Sequence, residues 1–381
     1  MVDTMTPRER VIAALENRQP DRVPRDLGGT FVSGINIVAY KNLIRYLELD
    51  EQATILRERI RLARISETVL QKFKIDTRIV LPGIDYDVGK PTGDGTYIDS
   101  YGIVRTLTDE AGHWYIEDAP LMRGEYTKQA IDKVAKTWLD PTSPDVTRGV
   151  TETAGRLHRK TDFAVVLNLP IGCIHQATWL RGFDNWLVDL ALDMKLTIYF
   201  LELLTDRFLK MSQHLIEAAD GNIDVVAWGD DVAIATGPMM SRRMFDQIIL
   251  PYEKRVFKAL RSWTDAKILF HTDGSMVWHL DDLIEMGVDA VNPVDVGAKD
   301  MEDTASLKAR FGDRISIWGG IDTSRVLPFG KPEDVHAEVR RRVGDLHHNG
   351  GYILASVHNI LAEVPPENIC AIWETADVLE Q

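Results

Sequence analysis

From residue 160 onward the chain alternates between two textures. Short β-branched runs recur at Phe163–Asn168, Ile223–Trp228, Lys267–His271, Val288–Asn292, Arg314–Trp318 and Gly351–Ser356. Amphipathic stretches lie between and after them, at 184–219, 241–262, 276–286, 332–346 and 366–380, the second interrupted by Pro251. Strands separated by helices predict βαβ units and a parallel sheet. Six such units, with one or two more before residue 100, approach the eight of a closed (β/α)8 TIM barrel, the α/β fold class predicted here. A doubly wound open sheet is the competing arrangement. No GxGxxG opens a helix after a strand, so its dinucleotide-binding form lacks a fingerprint.

The first 120 residues read differently. Thr6-Pro7-Arg8-Glu9 places Thr at N-cap, Pro at N1 and Glu at N3, a capping box, and Val11, Ile12 and Leu15 continue it as a helix. Residues 40–75 read as mostly helical. In 81–120 the run Tyr97–Thr106 alternates like one strand, Asp109–Gly112 signals a turn, and His113–Ile116 is the expected return strand. This predicts a small β-hairpin excursion over about 81–120 inside one domain spanning 1–381. About 40 residues without cysteines make a poor independent core. Tyr86, Tyr97 and Tyr101 are candidates for a lid there.

Composition narrows the function classes. Lys plus Arg is 44 and Asp plus Glu is 58, a formal net charge of −14. That argues against nucleic acid, whose phosphates need a basic footprint, and against a polyanionic substrate unless the pocket is locally basic. No stretch reaches the roughly 18 apolar residues of a membrane span. Cys173 and Cys370 are the only cysteines, which excludes a disulfide framework and makes a reducing cytoplasm the default.

The reactive side chains fall at the carboxyl ends of the runs, the face on which barrel enzymes build active sites. Asn168 and then Cys173 and His175 follow the first run, and Gly229-Asp230-Asp231 the second. His271-Thr-Asp273-Gly274 closes the third, Asn292-Pro293 the fourth, Gly319-Gly320-Ile-Asp322 the fifth and Ser356-Val-His358-Asn359 the last. Side chains at i and i+2 share a face of a strand, so His271 and Asp273 point one way. With His358 they make a two-imidazole, one-carboxylate set that suits Zn²⁺ or non-haem Fe(II) and leaves a position open. The plainer alternative is a hydrogen-bonding network at the barrel mouth. Asp230 and Asp231 are adjacent, so one can face the pocket as a catalytic carboxyl while the other caps or pairs. Cys173, His175, Trp179, Asn292 and Asp322 are candidate substrate-binding residues. For Cys173, His175 and Trp179, simple core packing is the competing role.

Five stretches carry a family resemblance: Thr6–Pro24 (TPRERVIAALENRQPDRVP), WGDDVAIATGPMMS from Trp228, HTDGSMVWHLDDLIEMGVDAVNP from His271, WGGIDTSRVLPFGKPEDV from Trp318 and SVHNILAEVPPENI from Ser356. Together they resemble the uroporphyrinogen decarboxylase-like superfamily over nearly the whole chain. The resemblance implies a (β/α)8 barrel and one of two activities. The decarboxylase branch implies an arginine-rich loop for propionates and a catalytic Asp after a strand. Here Arg18, Arg22 and Arg25 stand in the loop region without its pattern, and Ile79-Val-Leu-Pro-Gly83 stands where the Asp should follow, with Asp85 displaced. The methyltransferase branch implies zinc held by an HxC motif and a later Cys. His271 matches the His of that motif, Asp273 stands at its Cys, and His358 stands at the later Cys.

Oxygen and nitrogen donors in place of sulfur make a harder, more Lewis-acidic site, suited to an ether or amine leaving group rather than a thiol. The resemblance therefore implies a metal-dependent methyltransferase, with zinc as the expected metal. It would move a methyl group from a small methoxyl or amine compound to a corrinoid carried by a separate protein. A lyase acting on a carboxylated substrate and a non-catalytic binder of a tetrapyrrole or corrinoid protein remain as alternatives. Whether the chain pairs with copies of itself as a homo-oligomer is left open.

Overall fold

The protein is described from a computed structural model, which describes residues 4–84, 90–91, 95–107, 112 and 114–379. Tyr86, Asp85, His113 and the turn at Asp109–Ala111 lie outside the described residues. Seven parallel strands form the sheet: β1 (Thr77–Val80), β2 (Ala164–Asn168), β3 (Val225–Gly229), β4 (Lys267–His271), β5 (Ala290–Asn292), β6 (Ser316–Ile321) and β7 (Tyr352–Ser356). They follow one another around the sheet in chain order. Between β7 and β1 lies the segment Pro24–Asp26. On one side Leu354 N donates to Pro24 O (2.8 Å) and Asp26 N to Leu354 O (2.9 Å). On the other side Asp76 N donates to Arg25 O (2.9 Å). This short eighth element closes the ring, and the fold is a TIM barrel.

The inside of the barrel is small and layered. Ala164, Val166, Val225, Ala227, Leu269, Ala290, Trp318, Ile353 and Ala355 fill it, together with Val11, Ala14 and Leu15. Those last three belong to helix α1 (Pro7–Leu15), which plugs the amino-terminal end of the barrel. Its capping box is present: Glu9 N donates to Thr6 Oγ1 (3.2 Å) and Thr6 N to Glu9 Oε2 (2.8 Å). Around the plug lies a buried ion network. Asp76 receives Arg10 (2.7 Å), Arg22 (2.8 Å) and the Arg25 backbone N–H (2.8 Å), and Arg10 also reaches Asp21 (2.7 Å). The alternate strand residues face outward and pack under the helices.

Several elements differ from expectation. Residues 40–75 are not mostly helical. A helix over Ile37–Tyr46 gives way to an antiparallel hairpin, Thr54–Arg57 with Leu62–Arg64, before a short helix at Glu67–Lys72. The hairpin turns at Arg61, whose φ of 52° ends any helical run. Tyr97–Thr106 is two strands rather than one. Thr96–Ile98 and Val104–Leu107 pair antiparallel, because the Asp99 carboxylate accepts from Tyr101 N (2.9 Å) and Ile103 N (3.0 Å) and folds the chain back. With Lys90–Pro91 and Trp114–Asp118 they make a four-stranded antiparallel sheet. The stretch 184–219 breaks at Asp193, which caps the helix Met194–Ala219 through Leu196 N (3.1 Å). Before Pro251 the helix widens into a π-turn at Phe245–Ile249. No described helix is long and apolar enough to cross a membrane.

Candidate metal centre and cavity

Register decides what meets at the carboxyl end of the barrel. His271, the last residue of β4, stands level with Gly229 on β3 and Asn292 on β5. Gly229 leaves the room that the imidazole occupies. A Cβ there would lie 2.9 Å from His271 Cβ and 3.0 Å from Cδ2. Asn292 orients the ring. Its Nδ2 donates to Trp318 O (2.8 Å), so its Oδ1 is the atom 2.7 Å from His271 Nδ1 and accepts that N–H. The Nε2 lone pair is thereby directed away from Asn292, the arrangement that fixes a metal-ligating histidine.

His271 Nε2 lies 3.5 Å from Asp273 Oδ1, and the His271 and His358 rings lie 5.6 Å apart at 50°. One donor atom from each of His271, Asp273 and His358 falls within 4.8 Å of the other two. Donors sharing one zinc at 2.0–2.2 Å sit somewhat closer than this, within reach of small side-chain rotations. Two imidazoles and a carboxylate, one imidazole already held by a neighbouring amide, fit a divalent ion with one position open.

These residues edge a cavity of about 230 Å³. Leu269 and Ala227 from the barrel interior line it, and Trp179, Phe31 and Tyr101 bring aromatic walls. Asn168 fastens one side: its Oδ1 accepts from Phe31 N (3.0 Å) and its Nδ2 donates to Gly29 O (3.0 Å). The hairpin turn after Arg57 contributes Arg57, Arg59 and Ile60.

Asp230 and Asp231 diverge, as adjacent strand-end residues must. Asp230 is fully buried and serves the helix Cys173–Arg181, accepting from Ile174 N and His175 N at 2.8 Å each and from Tyr252 Oη at 2.6 Å. Gly172 is required beside it, since a Cβ there would sit 2.2 Å from Asp230 Cγ. Asp231 lines the cavity, accepts from Asp273 N (2.8 Å) and lies 3.0 Å from His175 Nε2. Burial opposes charge on His175, but Asp231, with Asp230 on its other nitrogen, outweighs burial and pushes the imidazole up to about 10. Burial likewise works against the Asp231 carboxylate, and the His175 cation holds it well below the ordinary carboxylate range. A proton-donating role for either Asp, as expected from the sequence, requires a protonated carboxyl. Asp231, which lines the cavity, is held ionised by His175, and Asp230 is committed to the helix Cys173–Arg181 and is not among the lining residues.

Of the other candidates, His175 and Trp179 line the cavity, their rings edge to face at 5.5 Å. Cys173, Asn292 and Asp322 are not among its lining residues. Cys173 is buried behind it in packing, where desolvation pushes the thiol well above its usual value. Asn292 stands behind His271. Asp322 is turned into its own loop, accepting from Ser324 N (2.8 Å) and Arg325 N (2.9 Å).

The comparisons with known proteins agree with this architecture. The family model for uroporphyrinogen decarboxylase (URO-D) matches residues 126–379. The chain belongs to the uroporphyrinogen decarboxylase family. Among curated relatives, the uroporphyrinogen decarboxylase of Psychromonas ingrahamii is 29% identical over 163 residues, 42% of this chain and 44% of that one. That of Nostoc punctiforme is 31% identical over 144 residues, 37% of each. The chain thus spans less than half the length of the curated relatives it matches. Among solved structures, a methyltransferase from Methanosarcina mazei superposes with a TM-score of 0.66 at 16% identity, covering 99% of this chain and 100% of that one. At that identity the likeness establishes the shared fold.

Proposed function

We propose that this chain is a metal-dependent methyltransferase. It takes a methyl group from a small methylated compound, a methoxyl or amine donor, and delivers it to the cobalt of a separate corrinoid protein. The convergence of His271, Asp273 and His358 at the cavity edge carries this reading. A divalent ion bound there, zinc by its donor set, would act as a Lewis acid on the leaving heteroatom. The chain's own residues would do the rest. Asn292 keeps His271 aimed, Asp231 holds the Asp273 backbone in place, and the Phe31 and Trp179 walls exclude water around the donor. The methylated end has to face the open mouth, where cobalt approaches.

The decarboxylase named in the curated relatives fits these residues less well. Arg18, Arg22 and Arg25, which stand in the region of that branch's arginine-rich loop, lie at the other end of the barrel. Arg18 pairs with Glu16 (2.7 Å), Arg22 with Asp76, and Arg25 with Asp377 (2.8 Å). Elemental analysis of protein purified without chelator, with a screen of methylated donors against reduced corrinoid protein, tests the proposal. About one equivalent of metal in the wild type, its loss in His271→Ala and donor-dependent methylation of cobalt are expected. Release of CO₂ from uroporphyrinogen by the wild type would replace this reading with the decarboxylase.

A further inference from the structure

Among the described residues that line the cavity, Asn168 and Asn359 carry side-chain amides, and the two are used differently. Asn168 commits both ends to the protein. Its Oδ1 accepts from Phe31 N (3.0 Å), and its Nδ2 donates to Gly29 O (3.0 Å) and Val166 O (3.4 Å). Asn359 commits one end. Its Oδ1 accepts from Gly34 N at 2.7 Å, which also fixes the way round of the amide, because a backbone N–H can pair only with the oxygen. Its Nδ2 donates to no described residue. The residue is nevertheless held firmly. A parallel bridge joins Ile35 to Ile360, with Ile360 N donating to Gly34 O (2.9 Å) and Asn36 N to Ile360 O (2.8 Å). Asn359 is only 6% exposed, yet Nδ2 is not sealed from solvent, and the solvent that it meets is that of the cavity. A clamp on Gly34 needs only the oxygen, so the clamp leaves the amide nitrogen unexplained.

We propose that Asn359 is a specificity-determining residue whose Nδ2 donates a hydrogen bond to the compound bound in the cavity, so that this compound presents an oxygen acceptor there and not a protonated amine. Nδ2 carries two N–H donors and no acceptor. It serves an ether, hydroxyl, carbonyl or carboxylate oxygen and has nothing to offer an ammonium. With the cavity empty of ligand, water satisfies such a donor. A ligand that displaces this water without replacing its hydrogen bond loses affinity, and one that replaces the bond does not. Gly34 and the bridge at Ile360 hold the amide in place beforehand, so little freedom is lost when the ligand arrives. Asn359 follows His358 in the chain and both line the cavity, so the contact stands beside the triad. The faces of Phe31 and Trp179 suit the apolar body of the ligand. The inference rests on the methyltransferase reading only for calling that ligand a methyl donor. On that reading, oxygen-bearing donors are taken in preference to protonated methylamines.

Three probes with one carbon skeleton test this: acetophenone, α-methylstyrene and 1-phenylethylammonium. On the same carbon they carry an acceptor oxygen, a methylene group and a cationic donor. Each is titrated calorimetrically into the purified full chain, treated with chelator so that no ion competes for the ketone oxygen. Acetophenone should bind about five- to tenfold more tightly than α-methylstyrene, the discrimination expected of one hydrogen bond. Asn359→Asp keeps an oxygen for Gly34 N and changes only the atom that faces the cavity. It should abolish the preference for the ketone and bind the ammonium at least about fivefold more tightly than the wild type does. A merely structural role gives no such crossover, because loss of the clamp weakens all three probes together. The ketone and alkene comparison in the wild type needs no variant, so it decides the matter even where Asn359→Asp does not fold. Equal wild-type affinity for those two probes, parallel losses for all three in Asn359→Asp, or failure of acetophenone to bind at millimolar concentration would each overturn the assignment. The titration uses neither metal nor corrinoid. A ketone preference therefore stands if methyl transfer fails, and its absence counts against Asn359 even where methyl transfer occurs.

Discussion

Gly229→Ala tests the proposed metal centre without touching a ligand. The added methyl carbon would lie 2.9 Å from His271 Cβ and 3.0 Å from Cδ2, where ordinary contact begins near 3.4 Å. The imidazole must therefore retreat by about 0.4–0.5 Å, the difference between those distances. It cannot do so freely, since Nδ1 is tied to Asn292 at 2.7 Å and that amide is tied to Trp318 O at 2.8 Å. Metal sites tolerate about 0.2 Å in ligand distance, so the retreat exceeds what the ion can accept by about twofold. Disturbing the support of a ligating histidine typically costs about 10–100-fold in affinity, and overpacking costs about 1–3 kcal/mol of stability. Competitive titration of zinc against a chromophoric chelator reads the first quantity, and urea unfolding of the metal-free protein reads the second. A variant that binds zinc as tightly as the wild type would refute the placement of the metal at His271 Nε2. A variant that loses zinc only in proportion to a general loss of folded protein would refute the local argument.

Two further outcomes concern stability. The folded His175 imidazole titrates near about 10 against 6.5 for the free group, so its contribution is complete below pH 6.5 and is lost as pH rises toward 10. Asp231 is lowered, so its contribution is present above its unfolded value and is lost only in strong acid. The stability gap between wild type and His175→Gln, followed by urea unfolding, should therefore narrow between pH 6.5 and 10 at up to about 1.4 kcal/mol per unit; a constant gap would count against the ion pair. At the opposite end of the barrel, Asp76→Asn removes the buried carboxylate that Arg10 and Arg22 share, leaving Arg10 its pair with Asp21, and should destabilise by about 3–5 kcal/mol while zinc affinity stays within about twofold. A loss under about 1 kcal/mol would mean that the network is not a stabilising element.

What the sequence revealed follows from how local each signal is. Strand and helix alternation after residue 160 is a period-two and period-3.6 pattern, so the barrel was readable there, down to His271 as the last strand residue. His271 and Asp273 were readable as a pair because two residues along a strand end restore the same face. Joining His358 to them required the barrel to close, a non-local fact that the strand-end pattern anticipated. The hairpin carrying Arg57 and Arg59 was hidden. Its strands are three or four residues long, and Leu62 and Ile65 mimic one helical face, so the cavity wall it supplies was not foreseen. Asn292 was read as touching substrate, because being a polar residue at a strand end does not distinguish a side chain facing the cavity from one facing the neighbouring strand. Gly229 carried a signal that was available but unused: a glycine at an inward position, level with a histidine on the adjacent strand, marks a close approach.

The segment Pro24–Asp26 has a consequence for the order in which the molecule can be made. It holds β7 on one side and the start of β1 on the other, so the ring is joined by residues more than 300 positions apart in the chain. A nascent chain emerging amino end first exposes an open, curved sheet whose last edge stays unpaired until Tyr352–Ser356 has left the ribosome. Until then α1, the plug of the finished barrel, has only part of its socket, and Leu354 and its neighbours are not there to receive the segment behind it. Closure is therefore a late, long-range event of high contact order, and the growing chain presents a sticky edge for most of its synthesis.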